Sequence, residues 1–311
     1  MSEPLNFAPG PIVGQLRGRL SADEPMSRHV SWRAGGAAAR CYAPADADDL
    51  ANFLRTLPAD EPLCFVGLGS NLLVRDGGYR GTVVQMHSPH AQITMEGSQV
   101  HAMAGAASPK VARFAATHGY EAAEFLAGVP GSVGGALAMN AGCHGSETWE
   151  YVERVRTIDR HGVVHERTRD DYDIGYRHCA LKSGADEWFL GAWFRFRAGD
   201  GAMARARIRE LLARRIATQP LNFPNAGSVF RNPPGDHAAR LIEACGLKGH
   251  AVGGARISEK HANFIVNPGG KATAADIEAL IAHARQTVNE RFGVELVPEV
   301  RIIGEHIGAR A

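Results

Sequence analysis

Leu63-Cys64-Phe65-Val66-Gly67-Leu68-Gly69-Ser70-Asn71-Leu72-Leu73-Val74 is a pair of short apolar runs joined by a glycine turn. The first run reads as a strand. The second does too, because Asp76-Gly77-Gly78 turns the chain straight into Gly81-Thr82-Val83-Val84. A Rossmann fingerprint needs a helix N-terminus directly after its glycines, so the continuing strand argues against that fold. With the β-like stretch Ala39–Ala43 and the helical pattern Asp46–Leu57 ahead of it, the segment is a βαβ-like opening followed by more strand. Its glycines let backbone N–H groups approach an anion closely, beside one hydroxyl and one amide. Glycine turns between strands are common, so this loop alone leaves a ligand undecided.

A second passage, Gly128-Val129-Pro130-Gly131-Ser132-Val133-Gly134-Gly135, runs on to Met139-Asn140-Ala141-Gly142. It holds too many glycines for a simple turn, and two such loops in one β-rich unit suggest a dinucleotide-like cofactor. Ahead of it stands a helix for which Ser108 offers a cap, Pro109 a first position and Gly119 an end. Strand-like segments follow as far as Phe196, and small, flexible Ala198-Gly199-Asp200-Gly201 marks a domain boundary. Beyond it Arg205, Arg207, Arg209, Arg214 and Arg215 interleave with Ile208, Leu211, Leu212 and Ile216, the pattern of an amphipathic helix with a solvated face. A helix over Asp236–Cys245, a strand over Ala262–Val266 and a last helix follow. In the last, Thr273 and Asp276 have capping-box spacing, and Ile277, Leu280, Ile281, Ala284 and Val288 share one face before Gly293.

The 311 residues suffice for at least two domains, and 45% hydrophobic with 22% charged residues is ordinary for a globular chain. A net charge of +1 provides no field for polyanions, so nucleic acid is not an expected partner. Five scattered cysteines without a C-x-x-C pair, and no H-E-x-x-H, point to a reducing cytoplasm and no metal. Met1 to Leu20 has no apolar signal core and no run of 18 apolar residues occurs, so membrane insertion is not expected. A monomer is expected.

Three further passages carry residues suited to chemistry. Arg177 lies between Tyr176 and His178, and its planar fork suits a carboxylate, although an exposed loop arginine would look the same. Asn225-Ala226-Gly227-Ser228-Val229-Phe230-Arg231-Asn232-Pro233 reads as a short strand with a serine after glycine; it is no G-x-S-x-G elbow, but the hydroxyl could deliver a proton or simply bond a turn. Near the end, Val294, Leu296, Val300 and Ile302 alternate to one side, placing Glu295, Glu299 and Arg301 opposite with Val297 and Ile303. Pro298 forces an edge or a bulge there, and a carboxylate on so mixed a face has a raised pKa if desolvated.

Over roughly residues 28 to 305 the chain resembles the MurB family of UDP-N-acetylenolpyruvoylglucosamine reductases. The matching stretches are Ser31–Gly36, Gly67–Val74, Gly128–Gly135, Gly175–His178, Ala226–Pro233, Leu241–Gly249, Ser258–Asn267 and Val297–Arg301. The resemblance implies an α+β chain: an N-terminal segment (1–27), a FAD-binding domain of the vanillyl-alcohol-oxidase (PCMH) type (28–199) and a smaller α+β substrate-binding domain (200–311). It implies NADPH as reductant of the FAD and an enolpyruvyl UDP-sugar as the substrate reduced, in peptidoglycan precursor synthesis. Carried over, Ser228 donates a proton while Arg177 and Glu299 polarise the substrate carboxylate. Cofactor contacts fall to Gly67, Leu68, Gly69, Ser70, Asn71, Leu72, Gly131, Ser132, Val133, Gly134, Asn140 and Ala141, and substrate contacts to Tyr176, Gln219, Arg231 and Asn232. The short span from Arg177 to Trp193 resembles the class without a tyrosine-bearing insertion, Arg231 stands where lysine is usual, and Gln219 where some members have lysine. Two other readings remain: an oxidase or dehydrogenase of the same fold acting on an alcohol or sugar acid, and a nucleotide-binding protein without turnover. The first often holds flavin through histidine, whereas Ser70-Asn71 favours non-covalent FAD; in the second, Ser228 and Glu299 would be idle.

Overall fold

The computed structural model describes residues 16–308. It opens with β1 (Arg19–Pro25), β2 (Ala37–Ala43), α1 (Ala47–Arg55), β3 (Leu63–Val66), β4 (Leu72–Val74) and β5 (Tyr79–Gln85). These give a sheet of order β1-β2-β5-β3, antiparallel at β1/β2 and parallel across the rest. Of the N-terminal segment expected at 1–27, residues 1–15 lie outside the described ones; from Arg19 it is not separate but forms the sheet's edge. Asp46 caps α1 by accepting the Asp49 N–H at 2.9 Å, and Leu50, Phe53 and Leu54 on the helix pack with Tyr42 of β2.

Then follow β6 (Ile93–Glu96), β7 (Gln99–Met103), α2 (Ser108–Thr117), α3 (Val133–Ala138), β8 (Val152–Asp159), β9 (Val164–Thr168), β10 (Tyr172–Gly175), β11 (His178–Leu181) and β12 (Glu187–Phe194). Five of these strands build an antiparallel sheet of order β9-β8-β12-β7-β6. Ser108 does not cap α2: it is the first helical residue, Ala107 holds the cap position, and the buried Ser108 hydroxyl has no partner among the described residues. Ser132 caps the next helix, α3, accepting the Gly135 N–H at 3.4 Å, so the glycine passage enters a helix and not a strand. Glycine inside a helix costs about 1 kcal/mol, which hides α3 from a sequence reading. Its reason is contact: a Cβ on Gly134 would lie 3.0 Å from the Ala104 Cβ.

α4 (Gly201–Thr218), capped by Asp200, sends Ala204 and Ile208 into the core made by α2, α3 and β12. The boundary expected at Ala198–Gly201 therefore precedes a helix that packs with the first unit. Ile216, read as apolar face, is exposed, while Arg215 is half-buried.

The remaining chain gives α5 (Ala238–Ala244), β13 (Ala251–Val252), β14 (Ala255–Ile257), β15 (Ile265–Val266), α6 (Ala274–Phe292) and β16 (Arg301–Ile303). α6 follows its spacing: Thr273 and Asp276 form the capping box, Ile277, Leu280, Ile281, Ala284 and Val288 are buried, and Gly293 ends it at φ +66°. The strand expected from Ala262 begins only at Ile265, and 225–233 forms no sheet strand, making a single bridge from Phe230 to Pro298.

The two units are stitched together. Trp32, wholly buried in the second core, donates its indole N–H to Ile265 O at 2.7 Å, and Asn267 Nδ2 donates to Trp32 O at 2.9 Å. An indole takes on the order of 200 Å² out of water, about 5 kcal/mol at ~25 cal/mol/Å² as an upper bound. The Asp76 carboxylate accepts the Ala274 and Ala275 N–H groups at 2.9 and 2.8 Å, capping α6 from the first unit, and Arg75 pairs with Glu278 at 2.8 Å. Finally β16 pairs in parallel with β4, Arg301 opposite Leu72, which returns the chain to the end of the first glycine loop.

Candidate active site

The two glycine loops meet. A Cβ on Gly67 would lie 1.9 Å from Ser132 Oγ, and one on Gly131 would lie 3.1 Å from Ser70 Oγ. Gly69 sits at φ +60°, where a Cβ would strike His29 O at 2.0 Å, and its own carbonyl accepts the Ser31 N–H at 3.0 Å. Among the described residues, no backbone N–H from Leu68 to Asn71 donates a hydrogen bond. Beneath the loop, Gln85 Nε2 donates to Gly67 O at 2.8 Å, leaving its buried Oε1 without a described partner. Successive free N–H groups around a left-handed glycine make an anion nest, so these residues fit the pyrophosphate of FAD. Asn140 plays a different part: 2% exposed and at φ +40°, it accepts the Trp149 N–H at 3.1 Å and donates to Glu147 at 2.8 Å and Gly175 O at 3.0 Å. Ala141 gives its N–H to Ala136 O, and Leu72 lies in β4.

Arg177 lies in the turn between β10 and β11 at φ +55°, a conformation costly for a side-chain-bearing residue and one that clusters at functional sites. Its Nε donates to Glu299 Oε1 at 2.8 Å, its NH2 to Gly142 O at 3.0 Å, and its NH1 lies 3.8 Å from Glu147. The guanidinium carbon stands 4.8 Å from the Tyr176 ring centroid, whereas His178 turns away toward Asp173. Glu147 was not singled out in the sequence; nothing local links it to Arg177.

Glu299 reaches this point through a bulge. Glu299 N and Val300 N both donate to Val229 O, at 2.7 and 3.4 Å, where Pro298 interrupts the pairing. Asn71 Nδ2 holds the Glu299 carbonyl at 3.0 Å, binding the second unit to the glycine loop. Burial raises the Glu299 pKa above its usual 4.5, and Arg177, then Arg231, only partly offset this. Ser228 immediately precedes Val229, and its hydroxyl makes no hydrogen bond among the described residues. The Arg177–Glu299 pair is thus tied to the first glycine loop through Asn71, and Ser228 is the chain neighbour of the Val229 that Glu299 bonds.

The expected substrate residues are more dispersed. Arg231 donates to Arg177 O at 3.1 Å, and its Nε is buried without a described partner. Asn232 spends its side-chain oxygen on the Ala238 N–H at 3.2 Å, at the start of α5. Gln219 lines a cavity of about 530 Å³ with Phe223, Arg256, Ser258 and Lys260, which none of Ser228, Arg177 and Glu299 lines. Gln219 accepts from Arg215 Nε at 2.9 Å. Arg215, read in the sequence as solvated, has no carboxylate within ion-pair distance among the described residues, and burial lowers its pKa.

The FAD binding domain profile matches residues 38–168, and the profile of the UDP-N-acetylenolpyruvoylglucosamine reductase C-terminal domain matches 219–303. The chain is 60% identical over 304 residues to the UDP-N-acetylenolpyruvoylglucosamine reductase of Thiobacillus denitrificans, covering 93% of this chain and 94% of that one. It belongs to the UDP-N-acetylenolpyruvoylglucosamine reductase family. The reductase of Nitrosospira multiformis is 57% identical over 312 residues, covering 93% of this chain and 90% of its own. Among solved structures, the MurB reductase of Thermus caldophilus superposes with a TM-score of 0.78 at 30% identity, covering 92% of this chain and 98% of that one. The fold of this reductase-family chain is accordingly the α+β arrangement expected, a FAD-binding domain followed by the family's C-terminal domain. No helix among the described residues is long and apolar enough to cross a membrane.

Proposed function

We propose that this chain reduces the enolpyruvyl ether of UDP-N-acetylglucosamine-enolpyruvate to UDP-N-acetylmuramate, using NADPH and non-covalently bound FAD. The observation that supports the reading is the Arg177–Glu299 pair, formed across 122 positions, with Glu299 tied to the glycine loop by Asn71 and to Val229, the residue after Ser228. FAD, when bound, supplies to the vinyl carbon the hydride it takes from NADPH. Arg177 receives the substrate carboxylate, and its guanidinium, with Arg231, offsets the negative charge that spreads there once hydride has added. Glu299, with a raised pKa, can stay protonated and donate to the same carboxylate. Ser228 then gives its proton to the carbon bearing the ether oxygen, so that hydride and proton together saturate the double bond. A hydroxyl is a feeble acid, but a carbanion-like centre is basic enough to accept from it when the geometry is fixed. Tyr176 shields the guanidinium, and Gln219, Asn232 and Arg215 serve the UDP-sugar. The protein works as a cytoplasmic monomer in peptidoglycan precursor synthesis, and so in cell-wall growth, shape and division.

The test separates two half-reactions. Purified protein should be yellow, lose that colour anaerobically with NADPH and regain it on adding the enolpyruvyl UDP-sugar. Ser228→Ala should keep the reduction and slow the reoxidation by about 10²–10⁴; unimpaired reoxidation would refute the role of Ser228.

A further inference from the structure

Asn263 is 3% exposed, a polar side chain inside the run Ala262–Val266 that the sequence presents as a strand. Its side-chain oxygen accepts the Phe230 N–H at 2.9 Å, its Nδ2 donates to Phe230 O at 2.8 Å, and its own carbonyl accepts the Val229 N–H at 2.9 Å. One residue thus supplies everything that a neighbouring strand would give to Val229 and Phe230. The opposite edge of the same segment bonds the Glu299 stretch: Val229 O accepts from Glu299 N at 2.7 Å, and Arg231 N donates to Val297 O at 2.9 Å. The pieces therefore stand in the order Asn263, Val229–Phe230, Glu299, with Ser228 emerging at the end of the clamped segment.

A burial this deep is costly for a primary amide unless every group is matched, and here both amide groups are. The arrangement also has a purpose that a strand would not serve. A ladder partner would run on beside Ser228 and cover its flank, whereas a side-chain amide supports Val229 and Phe230 and stops there. On the other side Gly227 turns at φ +74°, its N–H held by Asn225 Oδ1 at 3.0 Å. Ser228 is fixed from both sides while its hydroxyl remains free.

We propose that Asn263 is the positioning residue that holds Ser228 in register with Glu299 for proton delivery. This rests on the reading of Ser228 as proton donor, which Ser228→Ala tests separately. Asn263→Asp keeps the acceptor and replaces the donor with an oxygen facing Phe230 O. It should leave reduction by NADPH within about twofold of the parent, slow reoxidation by the enolpyruvyl UDP-sugar at least tenfold, and speed amide hydrogen exchange at Phe230. Because it acts through Ser228, adding it to Ser228→Ala should cost less than about a further twofold, since coupled sites are not additive. Equal slowing of both half-reactions, full additivity in the double variant, or unchanged reoxidation with faster exchange at Phe230 would each overturn the proposal. Should the aspartate variant not fold, Asn263→Ser, which keeps a small polar group in the same space, is read by the same measures. If Ser228→Ala itself leaves reoxidation unimpaired, it is the donor assignment that has failed.

Discussion

Replacing Glu299 with glutamine removes the titratable group at the site and almost nothing else. The backbone of residue 299 is held by Val229 O and Asn71 Nδ2, at 2.7 and 3.0 Å, and neither bond involves the carboxyl group. The 2.8 Å contact with Arg177 persists as a neutral-acceptor bond. A hydrogen bond to a charged group contributes about 1.5–3 kcal/mol and a neutral one roughly half, so ground-state pairing loses about 1 kcal/mol, or about fivefold. Loss of an acid, or of a group aimed at developing charge, costs more, about 10²–10³ in rate. Reoxidation of reduced flavin by the enolpyruvyl UDP-sugar, followed by stopped flow, should fall at least about 100-fold, with substrate affinity changing less than about tenfold. Burial raises the Glu299 pKa, so a rate that needs the acid form falls as pH rises through that raised value, and the limb disappears in Glu299→Gln. Stability has the same sign. Between the usual 4.5 and the raised folded value the native state binds the proton better, so the parent loses stability as pH rises, and urea melts should shift in favour of the variant across that window. A Glu299→Gln protein within threefold of the parent turnover, with its pH limb intact, would refute both roles.

Asp76→Ala strips two N–H partners from the start of α6 and should cost about 1–2 kcal/mol in denaturant unfolding; a change under about 0.3 kcal/mol would mean that water replaces the cap completely. Gly67→Ala drives a methyl into Ser132 Oγ, so flavin affinity measured by titration should drop about tenfold or more, and the second change Ser132→Gly should restore most of it. No loss in the single variant would show that the two loops separate easily. Arg75→Ala and Glu278→Ala, taken through a double-mutant cycle, should couple by about 0.5–1 kcal/mol at low salt and less at high salt, since both partners are partly exposed.

Local signals carried much of the second unit. The Thr273/Asp276 spacing and the apolar face of α6 are written within nineteen residues, and the structure repeats them. Pro298 announced the bulge, whereas the mixed face around Glu299 fitted a solvated carboxylate as well as the desolvated one with raised pKa that the structure shows. Other features depend on contacts that local sequence does not encode. α3 carries a glycine at 134 because Ala104 lies against it, and with a second at 135 propensity argued for a loop. Arg215 shares its helix with exposed arginines and differs by lying half-buried against Gln219. Glu147 and Asn263 find Arg177 and Phe230 across 30 and 33 positions, and Asn263 even sits in a run patterned as strand. The sequence alone therefore singled out the glycine loops and the residues proposed for the chemistry, but not the side chains that support them.

The parallel pairing of β16 with β4 also bears on synthesis. β4 leaves the ribosome with its hydrogen-bonding edge bare, and its partner follows more than two hundred residues later, as does the carbonyl of Glu299 that Asn71 holds across 228 positions. At about 5–20 residues per second that wait is roughly ten seconds or longer. During it the nascent chain exposes Leu73 and Trp32, both destined for the second core, making this interval the one in which a chaperone would find something to hold.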